Sequence, residues 1–287
     1  PLLRVIALLG AVACLGWAIR RHQYSAVAVY ALPALFLCWE LWGTLGRAPL
    51  SDEPAGRSRY LRVYSQNIGM ESPEKFIGLL AVGNYDLVLL QEAYAGHRKG
   101  WEVLAEELGY HHTYQMLRRD AGMGAFFMSR VPLEPLTSLA VQSWGRTVRY
   151  IPGVQIEFRK KKIDVYSVHL ESLPLVEGQR MIMGSSALRR RQAEALAEVV
   201  VASQQRVIVA GDFNSTPIYR SVAPLRAVLD DAWIEGGWGF GFTYHATVPI
   251  ARIDAILQRG FDCRYAEVVK ASDSDHRGVY AVFELEN

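Results

Sequence analysis

Cysteine is scarce in this chain. There are three, Cys14, Cys38 and Cys263. No zinc-ligand spacing and no disulfide framework can be built from them, and their chemistry fits plain packing. An excess of positive charge is lacking as well. Three of the 31 basic and one of the 29 acidic residues fall in positions 1–46, which leaves 28 of each sign beyond. Proteins that live on phosphate-backbone contacts normally carry a basic surplus, so the neutral balance weighs against a general nucleic-acid binder. Long lysine-rich insertions are absent, and so are internal repeats.

Apolar residues are plentiful, at 51% of 287, and charged ones make up 21%. This composition supports a packed core and argues against global disorder. The apolar residues are unevenly spread. Residues 1–46 hold only Arg4, Arg20, Arg21 and Glu40 as charges. Val5 to Ile19 is uncharged and mostly aliphatic, Arg20-Arg21-His22-Gln23 interrupts, and Tyr24 to Leu45 is apolar again apart from Glu40. Each stretch approaches the roughly 20 residues that a membrane-crossing helix needs. Trp17, Tyr24, Trp39 and Trp42 stand near the ends, as interfacial aromatics do, and Pro33 is tolerable inside a membrane helix. A cleaved signal peptide would explain one stretch but not two. The expectation is an N-terminal transmembrane helical hairpin over 1–46, hence a membrane protein, of bacterial inner-membrane type. The Arg20-Arg21 turn favours a cytoplasmic turn and an extracytoplasmic domain behind it. Residues 47–60, rich in Pro, Gly, Ser and charge, read as a linker.

Beyond Leu61 the chain alternates strands with a few helices. Leu61–Ile68, Asp86–Leu90, Ala125–Met128, Val148–Phe158, Ile163–His169, Arg206–Ala210, Ile253–Leu257 and Val279–Leu285 carry strand patterns. Pro73–Val82, Arg98–Leu108 and Glu177–Ala202 carry helical ones. Strands outnumber helices without regular alternation, which predicts layered α/β with mixed or antiparallel sheets.

One motif recurs. Polar residues able to do chemistry stand at the ends of apolar strands: Asn67 in YSQN, Glu92 in DLVLLQE, His169 in DVYSVHL, Asp212 and Asn214 in RVIVAGDFN, Asp254 in ARID, Asp275 and His276 in SDSDH. Strand ends let a rigid sheet converge such groups on one pocket. The set suits phosphoester hydrolysis. A hard cation such as magnesium takes oxygen ligands and only one or two carboxylates, and Glu92 is the foremost candidate. Asp212, His169 and the Asp254–His276 combination are candidates for water activation, charge stabilisation and help to the leaving oxygen. A carboxylate beside His276 would orient the ring and favour imidazolium.

These residues resemble the endonuclease/exonuclease/phosphatase superfamily, which includes DNase I-like nucleases, inositol polyphosphate phosphatases and bacterial sphingomyelinases. The likeness runs from about Leu61 to Leu285 and is carried by SQN, LLQE, SVHL, GDFN, RID and SDH. It implies a four-layer α/β sandwich over 61–287, with the site at a common edge of two mixed sheets. It implies Mg2+ or Mn2+ held mainly by Glu92, with Asn67 and Asp275 as the further metal residues. Asp212 would orient or deprotonate water, and Asn214 would hold phosphate or metal. His276, supported by Asp275, would contact phosphate, with Asp254 and His169 as the remaining acid/base pair. The pattern departs after SDH, where Arg277-Gly278 stand in place of a frequent proline. Arg118, Arg119, Arg146 and Arg149 are further candidates for a phosphate clamp.

Three functions follow as expectations. The first is a phosphatase or phosphodiesterase acting on a membrane-associated phosphoester, for which Trp233, Trp238, Phe240 and Phe242 could touch lipid. The second is a metal-dependent nuclease, which the neutral charge opposes. The third is a non-catalytic membrane scaffold. No protein partner is expected.

Overall fold

The computed structural model describes residues 2–21, 31, 34–35, 38, 42–48, 52–56, 58–117, 122–144, 147–172, 178–270 and 273–286. The chain divides into two compact units, Pro1–Leu45 and Gly46–Asn287. In the first unit a helix runs over Leu2–Arg20, 19 residues with Arg4 inside and Arg20 in its last turn. Most of the second expected span, including Tyr24, Pro33, Trp39 and Glu40, lies outside the described residues. Among the described residues no helix is long and apolar enough to cross a membrane. The transmembrane hairpin expected from composition is therefore not found there. A span needs about 20 consecutive apolar residues, and the described elements fall short of that.

In the second unit two six-stranded sheets face each other. The first runs, edge to edge, Phe261–Val269, Gly278–Leu285, Tyr60–Asn67, Leu87–Tyr94, Met123–Ser129, His112–Leu117. The second runs Asp230–Asp231, Asp254–Arg259, Arg206–Asp212, Lys161–His169, Gly153–Phe158, Leu133–Pro135. Each sheet holds one parallel pair, Tyr60–Asn67 with Leu87–Tyr94 and Lys161–His169 with Arg206–Asp212. The neighbouring pairings are antiparallel.

Successive strand residues face opposite sides of a sheet, and that period sorts the core. Leu61, Val63, Leu87 and Leu89 of one sheet meet Ile163, Val165, Ile208, Ala210 and Ile256 of the other in a central cluster. The alternate residues Tyr64, Val88 and Leu90 pack outward on Phe76, Leu80, Trp101 and Leu104 from the helical stretches Pro73–Phe76, Ile77–Val82 and Arg98–Glu107. Val168, Val207 and Val209 pack outward on Ala193, Leu196 and Val200 of the helix Gly178–Ala202. The result is helix, sheet, sheet, helix, the layered α/β sandwich with mixed sheets that the sequence resemblance implies.

Several strands differ from expectation. His112–Leu117 and Phe261–Val269 lie at sheet edges, half-exposed, where no long apolar run marks them. Val148–Phe158 is two strands, Val148–Ile151 and Gly153–Phe158, divided at Pro152, whose missing N–H cannot serve a ladder. Part of the 47–60 stretch is docked. Gly46–Arg47 pairs with Trp238–Gly239, and the Glu53 carboxylate accepts from Arg62 Nε at 2.8 Å and from the Tyr280 hydroxyl at 2.6 Å.

Candidate active site

The parity that fills the core also builds the site. Extending the inward-facing positions to the strand ends gives Leu61, Val63, Ser65, Asn67 in one strand and Ile163, Val165, Ser167, His169 in another. Ile208, Ala210, Asp212 and, read backwards, Ile256, Asp254 follow the same rule. Parallel pairing brings the carboxyl ends of two strands to one edge in each sheet, and antiparallel neighbours begin at that edge. His169 is in register with Asp212, and Asp212 with Asp254. His276 stands two residues before Gly278–Leu285, which begins beside the end of Tyr60–Asn67.

Glu92 escapes the parity rule. Counting from Leu90 would send it outward, toward the helices. A bulge between Leu90 and Ala93 inserts a residue against Met123–Ser129, and Glu92 takes φ +55°. Bulges of this kind re-aim side chains next to active sites, and a non-glycine residue in the left-handed region is uncommon. Asn214 is also left-handed, at φ +48°. Gly211 in GDFN has φ +141°, and a Cβ there would lie 2.0 Å from the Val168 carbonyl oxygen. Only glycine fits that approach of two backbones.

The centre of the site is Asp212 Oδ2. Asn67 Nδ2 donates to it at 3.1 Å and Asn214 Nδ2 at 3.2 Å. His169 Nε2 stands 3.8 Å away on one side and His276 Nε2 3.9 Å on the other. The other oxygen, Oδ1, accepts the Asn214 backbone N–H at 2.7 Å. Asn67 Nδ2 also donates to Glu92 Oε1 at 3.0 Å, and His169 Nε2 lies 3.5 Å from that oxygen. Glu92 and His276 therefore belong to one cluster, joined through Asn67 and Asp212.

Electrostatics separates the members. Asp212 is buried, which raises its pKa. The nearby Asp254 raises it further, to about 6, against the pull of His169, His276 and the Asn214 N–H. Burial alone would lower the pKa of His276. The Asp254 charge and hydrogen bond, with Asp212 and Asp275, more than reverse this and lift it to about 9.

The pairings differ in part from those the resemblance implies. Asp254 sits on His276, with its two oxygens 2.9 and 3.1 Å from Nδ1, the combination read from the residues. Asp275 is half-exposed and reaches only 4.0 Å from His276 Nε2. Asn67 turns its nitrogen to the carboxylates, while its oxygen accepts the Gly69 N–H at 3.1 Å. Arg118, Arg119 and Arg146 lie outside the described residues. Arg149 is paired with the buried Glu171 carboxylate at 2.9 Å.

Three supporting residues escaped sequence reasoning. Thr243 Oγ1 accepts the backbone N–H groups of Ile253 and Asp254 at 3.1 and 3.2 Å, and so fixes the start of that strand. Ser274 Oγ donates to the Asn67 carbonyl at 2.8 Å and accepts the His276 N–H at 3.1 Å. Gln66 Nε2 donates to the His276 carbonyl at 2.9 Å. Serine two residues before the histidine was the one available signal, since a short hydroxyl side chain favours local backbone bonding. Gly278 has its own reason: a Cβ there would meet the Tyr64 hydroxyl at 2.1 Å.

Residues 64–276 match the model of the endonuclease/exonuclease/phosphatase family. The chain belongs to that family. Its members are metal-dependent hydrolases of phosphoesters. Several solved structures share the fold. A humanized D. rerio TDP2 with 14 mutations is 21% identical, with a TM-score of 0.60 over 79% of this chain and 100% of that one. Truncated Caenorhabditis elegans TDP2 is 16% identical, with a TM-score of 0.60 over 78% and 98%. The beta toxin 275-280 from Staphylococcus aureus is 17% identical, with a TM-score of 0.60 over 77% and 99%. No curated protein matches the chain by sequence.

Proposed function

We propose that this protein is a divalent-metal-dependent phosphoester hydrolase whose base is Asp212 and whose anion-stabilising cation is His276. The observation that carries the reading is the Asp212 carboxylate set between two imidazoles and two amides. A carboxylate lifted to about 6 is largely ionised at neutral pH yet basic enough to take a proton from water. His276 stays imidazolium at that pH and presents Nε2 to a phosphoryl oxygen, while Asp254 fixes Nδ1–H. His169 flanks the same carboxylate from the other side and protonates or contacts the departing oxygen. Asn214 Nδ2 and Asn67 Nδ2 hold the Asp212 carboxylate in its orientation.

The donor set fits a hard cation. Glu92 is a partly open carboxylate at the mouth of the cluster and would hold Mg2+ or Mn2+, with Asn67 beside it. Asp212, Asp254 and His276 offer three ligand atoms within 4.8 Å of one another, but Asp254 is committed to the His276 ring, so acid–base work is the better assignment for them. Bound there, the cation supplies charge neutralisation at a phosphoryl oxygen.

A membrane-associated substrate and a membrane protein rest on the apolar composition of residues 1–46, and a catalytic unit outside the cytoplasm on the Arg20-Arg21 pair between the two apolar stretches. A nuclease is the second reading. D. rerio TDP2, 21% identical, has been solved with a single-strand DNA product, whereas the balanced charge beyond residue 46 opposes it.

The test is a panel of lipid phosphates, sphingomyelin, nucleic acids and inositol phosphates, with wild type and Asp212→Ala in parallel and either cation present. Hydrolysis that falls by about 10²–10⁴ in the variant supports the reading and names the substrate. No hydrolysis of any phosphoester by the wild type sinks it, and leaves the scaffold, which would show no cation-dependent thermal shift either.

A further inference from the structure

The two sides of Asp212 are not alike. On the His169 side a cavity of about 150 Å³ opens next to the site, and Glu92 and His169 form part of its wall. The rest is mainly apolar, with Met116, Leu117, Met123 and Val148, and carries Gln91, Thr147 and Ser167 as polar members. Asp254, Asn214 and His276 do not line it. Arg149 borders it but is tied to Glu171 at 2.9 Å, so the guanidinium is already matched by a carboxylate. The walls come from His112–Leu117, Met123–Ser129 and Val148–Ile151.

We infer that this cavity receives a compact apolar group, an aryl ring or short alkyl segment, carried on the phosphoester oxygen that faces His169. The inference rests on the phosphoester reading above and adds the substrate class. Size is the first argument. A void near 150 Å³ with mainly apolar walls takes a benzene-sized guest, which is too little for a nucleoside or a pair of acyl chains. Continuity is the second. His169 Nε2 is 3.8 Å from Asp212 Oδ2 and His169 also walls the cavity, so a group bonded to a phosphate over Asp212 reaches it directly. Desolvation is the third. An apolar ring releases water from the methionine, leucine and valine surfaces that make up much of the wall.

The test compares benzyl and 2-methoxyethyl phosphoesters, whose alcohol oxygens leave with similar ease, as monoesters and as methyl diesters. The full chain is used with Mg2+. The wild type is expected to favour benzyl by at least about tenfold in kcat/KM, the discrimination that apolar pockets give. Leu117→Gln and Val148→Gln alter exposed rim positions, 38% and 56% exposed, and the preference is expected to fall below threefold in each. A wild type with no preference, or variants that keep it, overturns the inference. Octyl esters distinguish a lipid source: a ring-sized cavity gives them no advantage over benzyl, and a further tenfold gain would mean a chain-binding groove and overturn the compact-group assignment. Binding is read separately by calorimetry with benzylphosphonate and methylphosphonate. If no ester is hydrolysed, the catalytic reading has failed. Tighter benzylphosphonate binding that is lost in both variants would still support the cavity assignment, and equal binding would overturn it.

Discussion

His169 and His276 flank one carboxylate at nearly the same distance, yet they live in different surroundings. His276 is 8% exposed, and its ring is clamped by both Asp254 oxygens and capped by Tyr244, 5.0 Å between ring centroids. The His169 side chain is 21% exposed and opens on the apolar cavity beside Glu92. One half of the site is sealed and its charge is fixed by a neighbour. The other half is open to a ligand. Identical side chains acquire different surroundings through the wall behind them.

The largest effect that sharpens this contrast belongs to the open half. Glu92→Gln removes the partly exposed carboxylate. The thermal shift produced by Mg2+ is expected to vanish, and kcat/KM to fall by at least about 10², since metal charge stabilisation is worth several kcal/mol. A variant that keeps the full shift would assign the cation elsewhere. In the sealed half, Asp254→Asn takes away the partner of Nδ1. By NMR titration of chelated protein, His276 is expected to drop from about 9 toward the ordinary histidine range, with activity down by about 10–10². An unchanged titration would break the contrast.

Stability follows the same ring. The folded pKa of His276 is raised above that of the unfolded chain, so its contribution is complete below about pH 6.5 and is lost as pH rises through about 9. Chelated wild type is expected to lose on the order of 2 kcal/mol across that window, measured by urea unfolding at several pH values, and His276→Gln to show a flatter profile. The smallest effect is expected from Asp275→Asn. Its side chain is 50% exposed and 4.0 Å from the ring, so activity should change by less than about fivefold, because screened charges couple weakly. A loss as large as that of Asp254→Asn would promote Asp275 to the place the family resemblance gives it.

Much of the site was legible because polar residues interrupt apolar strands at their ends, and alternation alone says which way Asn67, His169, Asp212 and Asp254 face. What alternation could not show depends on pairing between distant segments. The bulge that turns Glu92 inward exists only against Met123–Ser129. The contact of Asp254 with His276, named from the residues alone, joins two segments far apart in sequence, and its geometry appears only in the fold. Edge strands such as His112–Leu117 lack the apolar runs that mark central ones, and that strand walls the cavity. The buried Glu171–Arg149 pair joins residues on separate elements and leaves no local trace. The first apolar stretch falls within the helix Leu2–Arg20, most of the second lies outside the described residues, and no described helix is long and apolar enough to cross a membrane.

The in-register meeting of His169, Asp212 and Asp254 carries an evolutionary corollary. One residue added or deleted between Arg206 and Gly211 would exchange inside for outside along the remainder of that strand, and would swing the central carboxylate under the Gly178–Ala202 helix. Point replacements around the mouth can be explored one at a time, but frame slips inside these few positions are forbidden. Diversification of this protein is thereby channelled into its loops, with the strand lengths held constant.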